Sequence, residues 1–173
     1  MASALKNLST YDEKDLPDVG AYTFGIVVAD WNYDITHRLY EGCYATLLKH
    51  GAAEKNVHTL QVPGAFELPT AARIIASRQK CDVVICLGCV IKGETQHDEY
   101  INNAVAQGLV SLSLATGRPF IFGVLTPNTH AQAVDRAGGR HGNKGVEAAV
   151  TAIRMAEIYK PEAKNPIRIG FGK

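Results

Sequence analysis

The chain has 173 residues, of which 46% are hydrophobic and 20% are charged, and its formal net charge is +1. This length favours one domain with a sizeable core, and the nearly balanced charge gives no overall basic field that would attract nucleic acid. No apolar run is long enough to span a membrane, and the N-terminal residues lack the apolar core of a secretory signal. We therefore expect a cytoplasmic protein without membrane or nucleic-acid partners.

The first half of the chain predicts two strands, each followed by a helix. Residues 1–20 are polar and predict an N-terminal arm or tail, and the apolar run YTFGIVVA at residues 22–29 predicts the first strand. Apolar residues at helical spacing follow and stop at Gly51. Residues 57–62 predict the second strand, after which the sequence FELP at residues 66–69 opens a second helix with its proline in the tolerated first turn.

A third strand, a glycine turn and a helix N-terminus form the central stretch of the chain. Residues 81–89 are almost wholly apolar and predict a strand buried on both faces. Gly93 ends that pattern, and a helical pattern follows. Thr95 and Asp98 have the spacing of a capping box, with Thr95 as the cap, which places His97 in the first helical turn.

The remaining sequence predicts one more strand and two helices. The run PFIFGVLT at residues 119–126 predicts the fourth strand, and helical patterns cover about 129–136 and 143–159. The loop between these helices, residues 137–145, is basic and rich in glycine. Residues 161–173 contain two prolines and predict a C-terminal tail.

Strands that alternate with helices of this length predict an α/β fold with right-handed crossovers. We expect a three-layer sandwich around a four-stranded parallel sheet, with flavodoxin-like topology. The domain should cover residues 21–160, with the arm before it and the tail after it. Ligands of such folds bind beyond the carboxyl ends of the strands, and four segments there carry most of the unusual residues: 31–32, 63–67, 90–97 and 122–126.

His97 at the start of a helix is the first candidate in these segments. Free backbone N–H groups and the positive end of a helix dipole favour an anion there, and a histidine can transfer protons near neutral pH. The alternative is a capping turn with an exposed histidine. Trp31 likewise predicts either stacking on a planar ring or a cap over the sheet, and Phe122 either a ligand contact or plain core.

Other patterns in the sequence exclude several kinds of site. Cys86 and Cys89 have a metal-binding spacing, but three residues apart on a strand they face opposite sides, so buried thiols are the better interpretation. Neither the P-loop nor the dinucleotide-binding glycine pattern is present. Arg136 and Lys144 flank the glycine-rich loop and suit either phosphate binding or a solvated surface.

Five motifs in order resemble the 6,7-dimethyl-8-ribityllumazine synthase family, over residues 22–159. They are Trp31-Asn32 with Ile35-Thr36, PGAFELP at 63–69, GCVIKGETQHDEY at 88–100, FGVLT at 122–126 and RAGGRHGNKG at 136–145. The resemblance implies a transferase of riboflavin biosynthesis. It would condense 5-amino-6-(D-ribitylamino)uracil with 3,4-dihydroxy-2-butanone 4-phosphate to the lumazine, phosphate and water, without a metal or an organic cofactor.

The resemblance also implies a role for each matching residue. His97 would transfer protons, and Arg136 would be the counter-ion of the phosphate. The substrate-binding residues would be Trp31, which stacks on the pyrimidine, with Asn32, Ala65, Phe66, Glu67, Cys89, Val90, Ile91 and Phe122. The other phosphate-binding residues would be Gly93, Glu94, Thr95 and Lys144, with Glu147 close by.

The family resemblance further implies an assembly. Phe122 and Arg136 would come from a neighbouring subunit of a homopentamer, twelve of which can form a 60-subunit shell, and riboflavin synthase is the implied protein partner. Two alternatives are a relative of the same fold that dismutates lumazines to riboflavin, and a shell or lumazine-binding protein without catalysis. Arg136 and Lys144, which suit phosphate binding, favour the synthase over the dismutase, because the dismutase needs no phosphate site. His97 and Arg136 favour the synthase over a protein without catalysis, because a binding protein needs no proton carrier.

Overall fold

The computed structural model describes residues 9–159, in which strands and helices alternate. The main strands are β1 (Phe24–Ala29), β2 (Val57–Val62), β3 (Val83–Cys89) and β4 (Phe120–Leu125). The helices are α1 (Tyr33–Lys49), α2 (Leu68–Arg78), α3 (His97–Thr116), α4 (His130–Asp135) and α5 (Lys144–Tyr159). Between α4 and α5 lie β5 (Ala137–Gly139) and β6 (Gly142–Asn143).

The four main strands form one parallel sheet in the order β2-β1-β3-β4. In the register of the sheet, Ile26 of β1 lies opposite Thr59 of β2 and Ile85 of β3. Both central strands, β1 and β3, are buried along their whole length, as expected for parallel strands covered by helices on both faces. The predicted α/β fold with a four-stranded parallel sheet is confirmed, and its strand order is that of flavodoxin-like proteins.

Helices cover the two faces of the sheet and divide the core into two clusters. On one face α1 and α5 pack through residues such as Leu39 and Ile153 against Ile26. On the other face α2 and α3 pack through residues such as Ile75 and Leu109, in the cluster that contains the next residue of β1, Val27. This alternation follows from the two-residue period of a strand, and each such side chain contributes about 1.5–3 kcal/mol when it is fully buried.

Helices α1 and α5 approach each other closely, and glycine allows this contact. A Cβ atom on Gly145 would lie 1.8 Å from the carbonyl oxygen of Leu39, and one on Gly42 would lie 2.7 Å from Nδ2 of Asn143. No side chain fits at Gly145 against the Leu39 backbone, and one at Gly42 would displace the Asn143 side chain. The backbone at the start of α5 therefore lies directly against the middle of α1.

The structure corrects one local prediction, adds a short helix within the predicted arm, and does not describe the residues at either end of the chain. The glycine-rich loop folds as the β5–β6 hairpin, with a bulge between Ala137 and Gly139. Within the predicted arm, Glu13–Asp15 form a short 3-10 helix. Residues 1–8 of the arm and the predicted C-terminal tail, 161–173, lie outside the described residues. Within residues 9–159 no helix combines the length and apolar character needed to cross a bilayer.

Candidate functional site

The carboxyl ends of β1, β2 and β3 surround an open cavity of about 800 Å³, which we call the ring cavity. The cavity lies beside the junction of β1 and β3, where the direction of winding changes in this fold and where such proteins bind ligands. It joins segments that are far apart in sequence. The lining residues are Trp31, Asn32, Pro63, Gly64, Ala65, Phe66, Glu67, Cys89, Val90, Ile91, Gly93, Thr95, His97, Asp98, Tyr100 and Ile101.

Trp31 and Asn32 connect β1 to α1 at the edge of this cavity. The amide of Trp31 donates to the carbonyl oxygen of Pro63 at 3.1 Å, and 73% of the Trp31 surface is exposed. Asn32 has a left-handed backbone, with φ at 60°, and its Nδ2 donates to the carbonyl oxygen of Cys89 at 2.9 Å. Asparagine tolerates this conformation better than most residues. The Asn32 side chain thus joins the ends of β1 and β3, while the Trp31 ring stays open to a ligand.

The segment after β2 forms a second wall of the ring cavity. Ala65–Glu67 make a 3-10 turn that leads into α2, and Pro69 lies in the first turn of that helix as predicted. Ala65 is buried, whereas Phe66 is 60% exposed. Glu67 is the N-cap residue of α2, yet its carboxylate makes no capping hydrogen bond. Glu67 therefore presents an acceptor to the cavity, and the positive end of the helix dipole favours its charge.

Helix α3 begins at His97, so the predicted place of His97 in the first turn is confirmed. The predicted cap at Thr95 is displaced by one residue: the N-cap residue is Gln96, whose side chain makes no capping hydrogen bond. Thr95 Oγ1 nevertheless accepts a bond at 3.4 Å from the amide of His97, the first residue of the helix. Asp98 Oδ1 accepts from the amide of Gly93 at 3.4 Å.

Glu94 is exposed and is not among the residues that line the ring cavity. Its neighbours Gly93 and Thr95 do line the cavity. The side chain of Glu94 therefore lies at the solvent side of the turn, where its negative charge is hydrated.

The cysteines are buried thiols within residues 9–159. Cys86 lies in the cluster under α2 and α3, and Cys89 lies in the cluster under α1 and α5, which confirms that the two face opposite sides of the sheet. Burial, with a smaller effect of the Asp34 carboxylate, raises the pKa of Cys89 from 9.0 to about 12. Cys89 is consequently protonated at neutral pH and is no nucleophile. No cluster of three His, Cys, Asp or Glu side chains in residues 9–159 could hold a metal ion.

A second cavity of about 830 Å³ lies between β4, α3 and α5, and it shares no lining residue with the ring cavity. Phe122, Lys144 and Glu147 line it. Phe122 is the exposed residue of β4, with 36% of its surface exposed among buried neighbours. The interpretation of Phe122 as plain core is therefore wrong, because β4 is an edge strand of the sheet and nothing within residues 9–159 fully covers the Phe122 side chain.

Arg136, Glu147 and Lys144 form an ion cluster beside Phe122. Nη2 of Arg136 lies 3.1 Å from Oε1 of Glu147, and Nζ of Lys144 lies 3.2 Å from Oε2 of the same carboxylate. The Arg136 and Glu147 side chains are only 21% and 13% exposed, so the solvent screens this cluster weakly. One carboxylate holds two cations in place, which leaves the cluster with a net positive charge that suits a phosphate.

The structure thus brings most predicted site residues together in the ring cavity and places five elsewhere, of which Glu94 lies at the solvent side of the turn before α3. Phe122, Arg136, Lys144 and Glu147 belong to the second cavity and its ion cluster. Sequence reasoning missed Tyr100, which lines the ring cavity and is 69% exposed. Its position three residues after His97, on the same face of α3, was the signal that could have found it.

These features define the class of the protein: a doubly wound α/β protein with an aromatic ligand cavity at the carboxyl edge of its sheet and a separate cationic surface. The family model for 6,7-dimethyl-8-ribityllumazine synthase matches residues 21–160. The chain is 52% identical over 155 residues to the 6,7-dimethyl-8-ribityllumazine synthase of Cytophaga hutchinsonii, which covers 90% of this chain and 97% of the relative. It is 51% identical over 158 residues to the 6,7-dimethyl-8-ribityllumazine synthase of Parabacteroides distasonis, and this match covers 91% of the present chain and 99% of the relative. The chain belongs to the 6,7-dimethyl-8-ribityllumazine synthase family.

Proposed function

We propose that the chain condenses its two substrates at sites that neighbouring copies of the chain build together. Membership of the family makes it a transferase of riboflavin biosynthesis that forms 6,7-dimethyl-8-ribityllumazine in the penultimate step. The substrates are 5-amino-6-(D-ribitylamino)uracil and 3,4-dihydroxy-2-butanone 4-phosphate. The observation that carries the composite site is that no residue of the ion cluster lines the ring cavity, while Lys144 and Glu147 line a separate cavity of the same chain.

The ring cavity suits the uracil substrate. Trp31 offers an exposed flat surface on which a pyrimidine can stack. Cys89, Val90 and Ile91 line the cavity where the edge of the ring would lie. Their backbone is held in place by two hydrogen bonds: Nδ2 of Asn32 donates to the Cys89 carbonyl oxygen, and the Val90 amide donates to the Leu125 carbonyl oxygen. Ala65, Phe66 and Glu67 form the opposite wall, where the Glu67 carboxylate can accept bonds from ribityl hydroxyl groups.

The phosphate of the second substrate would lie at the other end of the site. Gly93, Glu94 and Thr95 belong to the turn before α3, whose backbone amides and helix dipole favour an anion. Arg136 and Lys144 of a neighbouring copy would face this turn and complete the phosphate site, with Phe122 of that copy covering the ring. Glu147 would hold the two cations in the geometry that the single chain already has.

His97 would transfer protons between these two regions. The nucleophile is the primary amine of the uracil substrate, which attacks the ketone and loses water to form an imine. A carbon-bound proton then leaves as the phosphate departs, and the ribitylamine nitrogen closes the second ring with loss of water. These steps need a proton carrier and two substrates held in register, and the latter can supply about 7 kcal/mol or more.

Exposed apolar residues support assembly into the homopentamer. Val110 and Leu114 of α3 are both largely exposed, and such side chains on one helix favour contact with another protein surface. A pentamer is the smallest assembly that we propose, and the 60-subunit shell and a complex with riboflavin synthase are its proposed extensions. We place the enzyme in the cytoplasm.

The test is a reaction with both substrates and the purified full chain, in which lumazine absorbance and phosphate release are followed together. We expect equal amounts of both products, at a rate well above that of the reaction without enzyme. Tight binding of lumazine or riboflavin without acceleration would contradict the proposal in favour of a binding protein. Formation of riboflavin from lumazine alone, with no phosphate released, would instead identify a dismutase.

A further inference from the structure

We propose that Asn143 is a positioning residue that fixes the ion cluster of Arg136, Glu147 and Lys144 against helix α1. The inference rests on the proposed function, because the position of the two cations matters through their contact with phosphate. Asn143 ends β6 and directly precedes α5, so it lies between the two cations along the chain. It would act on the reaction through the cations and not by touching substrate.

The side chain of Asn143 joins two helices. Its Oδ1 accepts hydrogen bonds from the amides of Gly145 at 2.8 Å and Val146 at 3.4 Å, which caps the first turn of α5. Its Nδ2 donates to the carbonyl oxygen of Arg38 in α1 at 2.9 Å. A serine or an aspartate can accept the first pair of bonds, but neither can donate the second from this place. The bond to Arg38 is therefore the part that needs asparagine.

The backbone around Asn143 is fixed as well. Its amide donates to Oγ of Ser9, and the same hydroxyl donates to the Asn143 carbonyl oxygen at 3.1 Å. The next amide, that of Lys144, donates to the carbonyl oxygen of Arg136 at 2.9 Å and closes the base of the hairpin. A shift at the start of α5 would consequently move Lys144 and the backbone of Arg136 together.

The close packing of α1 and α5 does not by itself fix this position. Gly145 lies against the Leu39 carbonyl and Gly42 against Asn143, and these contacts only allow the two backbones to approach. Apolar contact is non-directional, whereas a hydrogen bond weakens steeply when its angle changes. The side-chain amide of Asn143 is thus the directional link that sets how the start of α5 lies on α1.

The experiment compares Asn143→Ala, Asn143→Ser and Asn143→Asp in the full-length enzyme. We expect all three to raise KM for the butanone phosphate about tenfold, because a small displacement of a positioning group costs this much or more. KM for the uracil substrate should stay within about twofold. Serine and aspartate should recover the melting temperature that alanine loses, because they restore the cap, without recovering KM.

Two outcomes would overturn the inference: an unchanged KM for the butanone phosphate in Asn143→Ala, or a KM restored by serine. Asp82→Ala is the matched control, since Asp82 Oδ2 accepts a 2.9 Å bond from the Thr23 amide at the other end of the sheet. This variant should lower the melting temperature without changing KM.

Arg136→Ala distinguishes a failure of the role of Asn143 from a failure of the proposed phosphate site. If it raises KM for the butanone phosphate and the Asn143 variants do not, only the role of Asn143 fails, whereas an unchanged KM in Arg136→Ala would overturn the phosphate role itself.

Discussion

The ring cavity and the ion cluster differ in how complete they are within one chain. The ring cavity is lined by exposed aromatic side chains, such as those of Trp31 and Phe66. In the ion cluster the charges are already paired, since Glu147 contacts both Arg136 and Lys144. The ring cavity presents an open concave surface to a ligand. The side chains of the ion cluster are instead held in place by their ion pairs, and the cluster keeps a net positive charge that can bind an anion. This difference is what a site divided between two copies requires.

The largest effect that we expect comes from His97→Ala. Loss of the proton carrier should lower kcat about 100-fold or more, while the affinity for the uracil substrate should change little, because Trp31 and the ring cavity remain. Steady-state kinetics and a binding titration measure the two quantities. His130→Ala is the matched control, because His130 also begins a helix, α4, but pairs with Asp34 on the surface. Unchanged turnover in His97→Ala would remove His97 from the mechanism.

Arg136→Ala tests the other region. It should raise KM for the butanone phosphate roughly 10- to 100-fold, as expected for the loss of a hydrogen bond between charged groups, and leave KM for the uracil substrate nearly unchanged. Glu147 keeps its contact with Lys144 in this variant, so we expect the fold to persist. Arg140→Ala changes an exposed arginine of the same hairpin and should have no effect. Equal increases in both KM values would refute the phosphate role.

Trp31→Ala should weaken binding of the uracil substrate about tenfold, because stacking of a base on an aromatic ring contributes about 1–3 kcal/mol. Trp31→Phe keeps an aromatic surface and should recover most of that affinity. Tyr33→Ala serves as control: Tyr33 is also exposed but stacks on His37, away from the ring cavity. If alanine and phenylalanine bound the substrate equally well, Trp31 would be a cap over the sheet and not a stacking residue.

The smallest effect concerns stability at high pH. Burial raises the pKa of Cys81 from 9.0 to about 11 and that of Cys89 to about 12. Above pH 9 these thiols stay protonated in the folded chain but ionise in the unfolded chain, so the free energy of unfolding should fall as the pH rises from 9 towards 11. We expect at most about 1.4 kcal/mol for each thiol at pH 10. Urea unfolding at several pH values measures the fall, and a Cys81→Ala variant with the same slope as the parent would contradict it.

The sequence predicted the main sheet well because its strands carry strong local signals. β1 and β3 are continuous apolar runs, and such runs need burial on both faces wherever they lie. The β5–β6 hairpin had no such signal, because residues 137–143 contain three glycines and no apolar run. Contacts made only in the folded chain hold it, such as the bond from the His141 amide to the Asp135 carbonyl oxygen at 2.8 Å.

In the candidate site, too, local patterns predicted the position of some residues, whereas contacts made only in the folded chain could not be predicted. The rule that ligands bind at the carboxyl ends of strands, together with the five motifs, predicted where Trp31, Glu67 and His97 lie. The exposure of Phe122 could not be read from the pattern, because an edge strand and a central strand have similar apolar runs. The pairing of Arg136 with Glu147 could not be read from the sequence pattern either, because it depends on how the hairpin folds back on α5. Their separation from the ring cavity of the same chain agrees with the family resemblance, which implied that Phe122 and Arg136 serve the site of a neighbouring subunit, whereas the strand pattern gave no sign of it.

The most direct test of the composite site is to assemble two inactive variants together. His97→Ala damages only the ring cavity and Arg136→Ala only the ion cluster, so coexpressed and copurified chains should contain intact sites where a normal ring cavity meets a normal ion cluster. We predict that mixed assemblies recover about a quarter of wild-type activity, since each half is intact in half of the copies. Coassembly of His97→Ala with Trp31→Ala, which both damage the ring cavity, should give only the average of its parents. If the His97→Ala and Arg136→Ala mixture also gave no more than the parental average, the two regions would act within one chain and the composite site would be wrong.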